Sequence, residues 1–539
     1  MERSGLTDTF ARDHLPPPEQ WPEFLFELPE LQFAPRLNCA VELLDRAIER
    51  GWGGRPCVLG DGVHWTYAEL LAQANRIARV LVEDMGLVSG NRVLLRGANS
   101  PMLAACWFGV VKAGSIAVGT MPMLRARELA AIVHKAHITH ALCDARLAPE
   151  LDSARADCPT LARVMHFRDA APSSLEARAA AKPATLDAAD SALDDVCLIG
   201  FTSGTTGQPK GTMHFHRDVM AACACWPPHV LRATADDRFI GSPPLAFTFG
   251  LGGLLLFPLS IGASSVLLEK ATPDVLLGAI AHWRASVCVT APTSYRAMAA
   301  QIGSQAGAHD LSSLRKCVSA GEVLPAATRT LWKQASGIEM IDGIGSTELL
   351  HIFISATEEQ ARGGATGVPV PGYRACVLDD DGREVPRGTV GRLAVKGPTG
   401  CRYLADERQK SYVQGGWNVT GDAYRIGEDG QFEYQARTDD MIISGGYNIA
   451  GPEVEAALLL HPAVSECAVV GASDEQRGQI VKAFVVLKSG HAGDDALIKT
   501  LQDFVKQTIA PYKYPRAIEF RAELPRTETG KLQRFRLRS

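Results

Sequence analysis

No stretch of this sequence is both long and apolar enough to span a bilayer, which takes about twenty residues. The two best candidates, Met102–Thr120 and Gly250–Ala263, are interrupted by Lys112 in one case and by glycines and Pro258 in the other. The opening Met1-Glu2-Arg3-Ser4 lacks the basic-then-apolar build of a secretory signal. There is no C-x-x-C pair and no histidine at zinc-ligand spacing; thirteen cysteines are scattered singly, only Cys223 and Cys225 lying close. That argues against a zinc module or a disulfide framework. It favours buried free thiols, Cys106 and Cys288 among them, in a reducing, cytoplasmic setting. A formal charge of −5 supplies no basic surface for nucleic acid or an anionic membrane. Internal repeats are absent too. What remains is an ordinary soluble composition, 46% hydrophobic and 21% charged, in 539 residues, too many for one core.

The most informative stretch runs from Val196 to Gly211. Val196–Phe201 is an apolar run that reads as a buried strand. Thr202-Ser203-Gly204-Thr205-Thr206-Gly207-Gln208-Pro209-Lys210-Gly211 reads as the loop leaving it. Its glycines permit a tight turn with inward N–H groups, and its hydroxyls and one ammonium suit phosphate oxygens. The spacing is not that of a Walker A loop, which needs Lys-Ser/Thr straight after its second glycine. A ligand-free Gly/Thr surface loop is the competing reading.

Elsewhere the chain alternates short strands with helical patterns to about residue 300, which predicts α/β layers on parallel sheet. Residues 1–35 read as an irregular arm. Asn38–Arg50 and Pro101–Lys112 are expected helices, and Thr66 with Glu69 is a capping box opening another. Asp169–Asp195 reads as a surface excursion. Phe247, Thr248 and Phe249 place aromatics beside glycines, a pattern that is more often core packing than a pocket. Thr293 and Tyr295 follow the strand Val287–Pro292, where doubly wound sheets bind ligands. Gly321 to Pro325 turns after a strand. In Ile341–Glu348, Thr347 can bond a phosphate and Glu348 is a hard oxygen ligand for Mg²⁺, although Ser-Thr-Glu also makes a helix cap. Beyond Asp422, a compact α+β pattern has a helix after Pro452, strands near Glu466–Gly471 and Ile480–Leu487, and a helix over Asp494–Thr508.

Thr202–Gly211 resembles the nucleotide phosphate loop of the adenylate-forming superfamily: acyl-CoA synthetases, carrier-loading adenylation domains and luciferases. Later stretches agree in order, so the resemblance covers Leu37 to Lys531. Gly343–Glu348 followed by Leu349-Leu350-His351-Ile352-Phe353 is similar to the benzoyl- and aminobenzoyl-CoA ligase branch. The opening Thr7–Asp13 and Trp21–Phe24 look like those of 2-aminobenzoate CoA ligases.

The resemblance implies an α/β fold: a large N-terminal domain of layered subdomains, residues 1–436, and a small, mobile α+β domain, residues 437–539. It implies ATP phosphates on Thr202, Ser203, Gly204, Thr205, Thr206, Gly207 and Lys210, and adenine beside Gly321, Glu322, Val323, Asp342, Gly343 and Ile344. Most relatives carry an aromatic residue where this chain has Ile344. Asp422 would take the ribose hydroxyls, Arg437 ribose or phosphate, and Glu348 the Mg²⁺, with Thr347 beside it. Lys531 would drive adenylation, Asp439 would be the hinge, and Gly445 and Gly446 would admit the pantetheine of CoA. The acid would sit among Phe247, Thr248, Phe249, Gly345, His351 and Ile352. His351 there either faces an ortho substituent or is a hydrogen-bonded structural histidine.

The function so implied is an AMP-forming aryl-CoA ligase using ATP, Mg²⁺ and CoA, with 2-aminobenzoate as the acid and benzoate and hydroxybenzoates next. The alternatives are an enzyme that loads an aryl acid onto a carrier protein in trans, and a non-catalytic nucleotide-binding homologue. The expected partners are an aromatic acid and CoA, without nucleic acid or membrane, in a cytoplasmic monomer or homodimer.

Overall fold

Arg92-Val93-Leu94-Leu95-Arg96 is buried along its whole length, as an apolar run between covering helices should be. The computed structural model describes residues 2–60, 62–203, 209–304, 307–322, 324, 326–437, 441–525 and 534–538, and among these the strands form four sheets. Arg92–Arg96 lies inside a six-stranded sheet, parallel to Ile116–Thr120 on one side and His140–Asp144 on the other. The helix Tyr67–Arg79 opens on the expected capping box: Thr66 accepts from the Glu69 amide, and the Glu69 carboxylate accepts from Thr66 N at 2.8 Å. Helix Pro101–Lys112 is buried almost all round, and the charge that ends its apolar run is paired, Lys112 Nζ lying 2.6 Å from Asp45.

The stretch Thr202–Gly211 differs from the expected loop. Val196–Ser203 and Pro209–Phe215 pair as antiparallel strands, with Thr202 opposite Lys210 and Ser203 opposite Pro209. Composition hid the second strand, because Gly211 stands where a side chain would crowd its neighbours. A Cβ there would come within 3.0 Å of the Phe201 ring and 3.1 Å of Ile199. The excursion over residues 169–195 is also more integrated than expected. It carries a helix, Leu175–Ala180, whose Leu175 and Ala179 are buried.

A nine-stranded sheet is assembled from segments between Pro56 and Pro369. Its central strands Arg238–Gly241, Val287–Thr290, Lys316–Ser319 and Met340–Gly345 run parallel. Their carboxyl ends therefore release Ala291–Thr293, Gly321 and Ser346–Glu348 at one rim, the place where such sheets bind ligands. A third, antiparallel sheet holds Trp417–Ile426 beside Phe432–Arg437, joined by a turn in which Gly427 N bonds Gln431 O at 2.8 Å.

Pairing in that sheet ends at Asp422–Arg437, and the next pairing, Met441–Ala450, belongs to a different sheet. This last sheet, with helices Gly451–Leu458 and Asp495–Thr508, closes a core of its own around Ile449, Val469, Val481 and Leu501. Each such buried aliphatic side chain contributes about 1.5–3 kcal/mol. All thirteen cysteines are buried thiols, and no described helix is long and apolar enough to cross a membrane.

Candidate active site

A cavity of about 1360 Å³ opens where the two parallel sheets, the antiparallel sheet and the C-terminal unit meet. That exceeds the roughly 300–1,000 Å³ of a site for one small ligand and leaves room for several. Among the expected residues, Thr202, Lys210, Phe247, Thr248, Phe249, Gly321, Gly345, Thr347, Glu348, His351, Ile352, Asp422, Gly445 and Gly446 line it. Glu322, Asp342, Gly343 and Ile344 do not: Gly343 packs under Ile352, where a Cβ would meet that side chain at 2.7 Å, and Ile344 packs on the core. Arg437 is placed by its backbone pairing with Asp422, and Ser203 by its place in the hairpin. Gly204, Thr205, Thr206, Gly207, Val323, Asp439 and Lys531 lie outside the described residues.

The polar centre is built on Glu348. Lys210 Nζ stands 3.4 Å from its carboxylate and donates to the Tyr403 hydroxyl at 2.9 Å; that hydroxyl donates to Glu348 at 2.5 Å. Burial would push the Glu348 carboxyl up, but Lys210 and then Tyr403 outweigh it and hold the group below the usual carboxylate range. The result is an ionised, nearly buried oxygen ligand beside an ammonium. Mg²⁺ with phosphate oxygens suits both. Thr202 Oγ1 is buried and has no hydrogen-bond partner among the described residues, and it sits opposite Lys210 in the hairpin. Thr347 is held from behind, its carbonyl accepting from His214 Nε2 at 2.8 Å. The Ser-Thr-Glu run does make a local turn bond, Leu349 N to Ser346 Oγ at 3.2 Å, while the Glu348 carboxylate stays with Lys210 and Tyr403.

The apolar end is aromatic. His351 packs edge-on against Phe257 with centroids 4.4 Å apart, and its Nε2 donates to the Phe249 carbonyl at 3.3 Å. Burial drives its pKa down to about 3, so the ring is neutral. With Nε2 protonated, Nδ1 is an acceptor, and it has no partner among the described residues.

At the other rim, Gly445 (φ +57°) and Gly446 (φ +81°) form the two-residue turn between Ser444 and Tyr447, which calls for positive φ at both positions. Glu322 lies behind them, accepting from Thr293 Oγ1 at 3.2 Å, and burial lifts its carboxyl to about 7. Asp342 is buried beside the nine-stranded sheet's rim, Oδ1 without a partner among the described residues, and burial lifts it to about 7 as well.

Sequence reading missed Tyr403, Tyr412, Glu128, Tyr512 and Lys513, all in the cavity wall. Their roles lie in pairs distant in the chain and not in local motifs, Tyr403 meeting Glu348 and Lys513 meeting Glu128.

Comparison with known proteins agrees with this geometry. Residues 44–403 match the family model described as AMP-binding enzyme, and residues 453–531 match the AMP-binding enzyme C-terminal domain. The chain is 35% identical over 515 residues to the benzoate–CoA ligase of Thauera aromatica, covering 95% of this chain and 97% of that one. It is 36% identical to the crystal structure of the anthranilate CoA ligase AuaEII in complex with anthranoyl-AMP, with a TM-score of 0.74 over 95% of this chain and 98% of that one. It also resembles the amide bond synthetase McbA from Marinactinospora thermotolerans, 28% identical with a TM-score of 0.82 over 93% and 99% of the two chains. With the family model matched over most of its length, the chain belongs to the AMP-binding, adenylate-forming enzyme family, in its benzoate and anthranilate CoA ligase branch, and is an AMP-forming acid–thiol ligase.

Proposed function

We propose that this ligase converts 2-aminobenzoate to its CoA thioester through an acyl-adenylate. Enzymes of this class take ATP with Mg²⁺ and coenzyme A. Thr202 and Lys210, with residues 203–207 between them, hold the triphosphate. Glu348 would hold Mg²⁺, which when bound neutralises phosphate charge, and Thr347 bonds a phosphate. Asp422 and Arg437 take the ribose and α-phosphate side, and Gly321 flanks the base. The carboxylate oxygen of the acid attacks the α-phosphorus, the bond to the bridging oxygen breaks, and pyrophosphate leaves. No protein nucleophile is needed; positioning and fixed charge suffice. Lys531 is the cation assigned to bring the two anions together. A unit of residues 437–539 then turns on Asp439 against residues 1–436, and the thiol enters past Gly445 and Gly446. It adds to the acyl carbon, the carbon–oxygen bond to phosphate breaks, AMP leaves, and the thiol proton is lost to water.

The observation that carries the identity of the acid is the buried, unpartnered Nδ1 of neutral His351, a side chain in the wall of the aromatic end. An ortho amino group donates to it; benzoate leaves it unsatisfied. A buried unmet acceptor costs about 1–3 kcal/mol, or roughly 5- to 150-fold in specificity. The test is AMP release from Mg·ATP with a panel of aryl and fatty acids, with and without CoA. At least tenfold higher kcat/KM for 2-aminobenzoate than for benzoate, abolished in His351→Leu, is expected. Equal use of the two acids overturns the assignment of the acid. Adenylate that accumulates despite CoA points to a carrier protein as acceptor.

A further inference from the structure

Lys513 belongs to the C-terminal unit, yet its ammonium is almost buried against a carboxylate from the other side of the cavity. Nζ lies 2.6 Å from Glu128 and 2.6 Å from Glu453, with side-chain exposures of 4% for Lys513, 9% for Glu128 and 14% for Glu453. Glu128 is itself committed on both oxygens. Its Oε2 accepts from Arg125 N, capping the helix Ala126–Ala136, and from Ala510 N, each at 2.9 Å, while Oε1 takes Lys513. Arg125 reaches across as well, donating to the Lys506 carbonyl at 3.2 Å. One carboxylate therefore joins a helix end of the large unit to both a backbone amide and an ammonium of the small one.

The position of Lys513 in the chain gives that junction a consequence at the cavity. Its neighbour Tyr512 stacks on Tyr447, centroids 4.2 Å apart and planes 26° from parallel. Tyr447 directly follows Gly446, and all three line the cavity. Fixing Lys513 fixes Tyr512, Tyr512 fixes Tyr447, and Tyr447 sets where the Gly445–Gly446 turn faces Ala291 and Glu322. A Cβ on Gly446 would be only 3.7 Å from Ala291 and 3.1 Å from Glu322. The clearance there is one methylene wide.

We infer that Lys513 is a positioning residue for thiol transfer: pairing with Glu128 docks the C-terminal unit in the orientation that opens a thiol channel beside Gly446, and adenylation does not use it. The inference rests on the two half-reactions of the proposed function. The triad combines a strong case for docking with a strong penalty for disruption. Removing the ammonium leaves two carboxylates facing each other out of water, which undocks the units instead of merely loosening them. An ion pair made only in one domain orientation biases that orientation and no other.

The two half-reactions separate the outcomes. Acid-dependent ATP–pyrophosphate exchange reads adenylation, and single-turnover thioester formation on mixing preformed enzyme–adenylate with CoA reads transfer. In Lys513→Met, exchange stays within about threefold of the parent while transfer slows tenfold or more. Lys513→Arg, which keeps the charge, recovers most of it. Glu128→Gln, which can still cap Arg125 N, shifts transfer in the same direction by a smaller factor, so the question survives a Lys513→Met chain that does not fold. A readout independent of turnover is hydrogen exchange at the Ala510 amide, whose partner is Glu128 only while the units are docked; its protection falls in Lys513→Met. Equal losses in both half-reactions, or undiminished transfer and Ala510 protection, overturn the inference. A parent that exchanges pyrophosphate with no aromatic acid overturns the ligase reading and this inference together. A normal parent beside an unimpaired variant overturns the inference alone.

Discussion

Gly200 lies directly beneath Thr347, so close that a Cβ on the glycine would stand 2.7 Å from the threonine Cγ2. The strand Val196–Ser203 thus supports the Thr347–Glu348 turn from below while His214 holds it from behind. Gly200→Ala must push that turn toward the cavity, because the neighbour is a short, branched side chain and not a flexible end. A displacement of this kind costs about tenfold or more in a positioned reaction. Pyrophosphate exchange at saturating acid should fall at least tenfold in Gly200→Ala. Thermal denaturation should shift by only a few degrees, since overpacking costs about 1–3 kcal/mol. Unchanged exchange would show that the turn has slack there.

Tyr403 holds Lys210 and Glu348 in one arrangement through a single oxygen. Tyr403→Phe keeps the ring, with Lys210 Nζ 5.0 Å from its centroid, and removes only the bridge. Loss of hydrogen bonds to charged groups costs about 1.5–3 kcal/mol. The KM for Mg·ATP should rise roughly ten- to a hundredfold, with the KM for the acid within about threefold of the parent. A loss confined to the acid would place Tyr403 at the other end of the cavity.

The buried Asp342 carboxyl titrates near 7 in the folded chain and near the ordinary value of about 3.9 when unfolded. Between those limits the folded state holds a proton that the unfolded state has released. Its stabilising contribution is complete below about pH 4 and declines by about 1.4 kcal/mol per unit as pH rises toward 7. Asp342→Asn removes that slope. Its denaturation temperature should match the parent at about pH 4 and exceed it by a few degrees at pH 8. Parallel pH profiles for the two proteins would remove Asp342 as the cause.

What the sequence made legible was chemistry written in contiguous runs. Thr202 with Lys210, Thr347 with Glu348, and Gly445 with Gly446 each sit within ten residues, and the alternation of strands with helices announced the parallel sheets. Pairs distant in the chain were not legible. Tyr403 meets Glu348 across 55 positions, and Lys513 meets Glu128 across 385. Cys39, Cys197 and His216, brought together in the core, come from three segments, none with ligand spacing of its own. Arg402 pairs with Asp218 wholly out of water, a contact no local pattern foretells. The antiparallel strand Pro209–Phe215 escaped because its glycine is there to seat Phe201, a tertiary reason that composition reads as a loop.

Gly446 offers the sharpest test of the channel. At φ +81° it already occupies backbone space that side-chain-bearing residues rarely adopt, and a Cβ would approach Glu322 to 3.1 Å. That distance forces the carboxylate to give way, yet Glu322 is tied to Thr293 through both its amide and its hydroxyl. Alanine at 446 must therefore either narrow the gap to Ala291 or tilt Tyr447 off Tyr512. Either response obstructs a thiol arm and leaves the Lys210–Tyr403–Glu348 centre untouched. Gly446→Ala should raise the KM for CoA and slow thioester formation by roughly tenfold or more, with pyrophosphate exchange within about twofold of the parent. Gly445→Ala separates clearance from backbone strain, because its Cβ would meet only the Arg477 guanidinium, at 2.8 Å, a flexible end that can swing aside. If both variants slow transfer equally, strain in the turn is the cause; if only Gly446→Ala does, the thiol passes between Gly446 and Ala291.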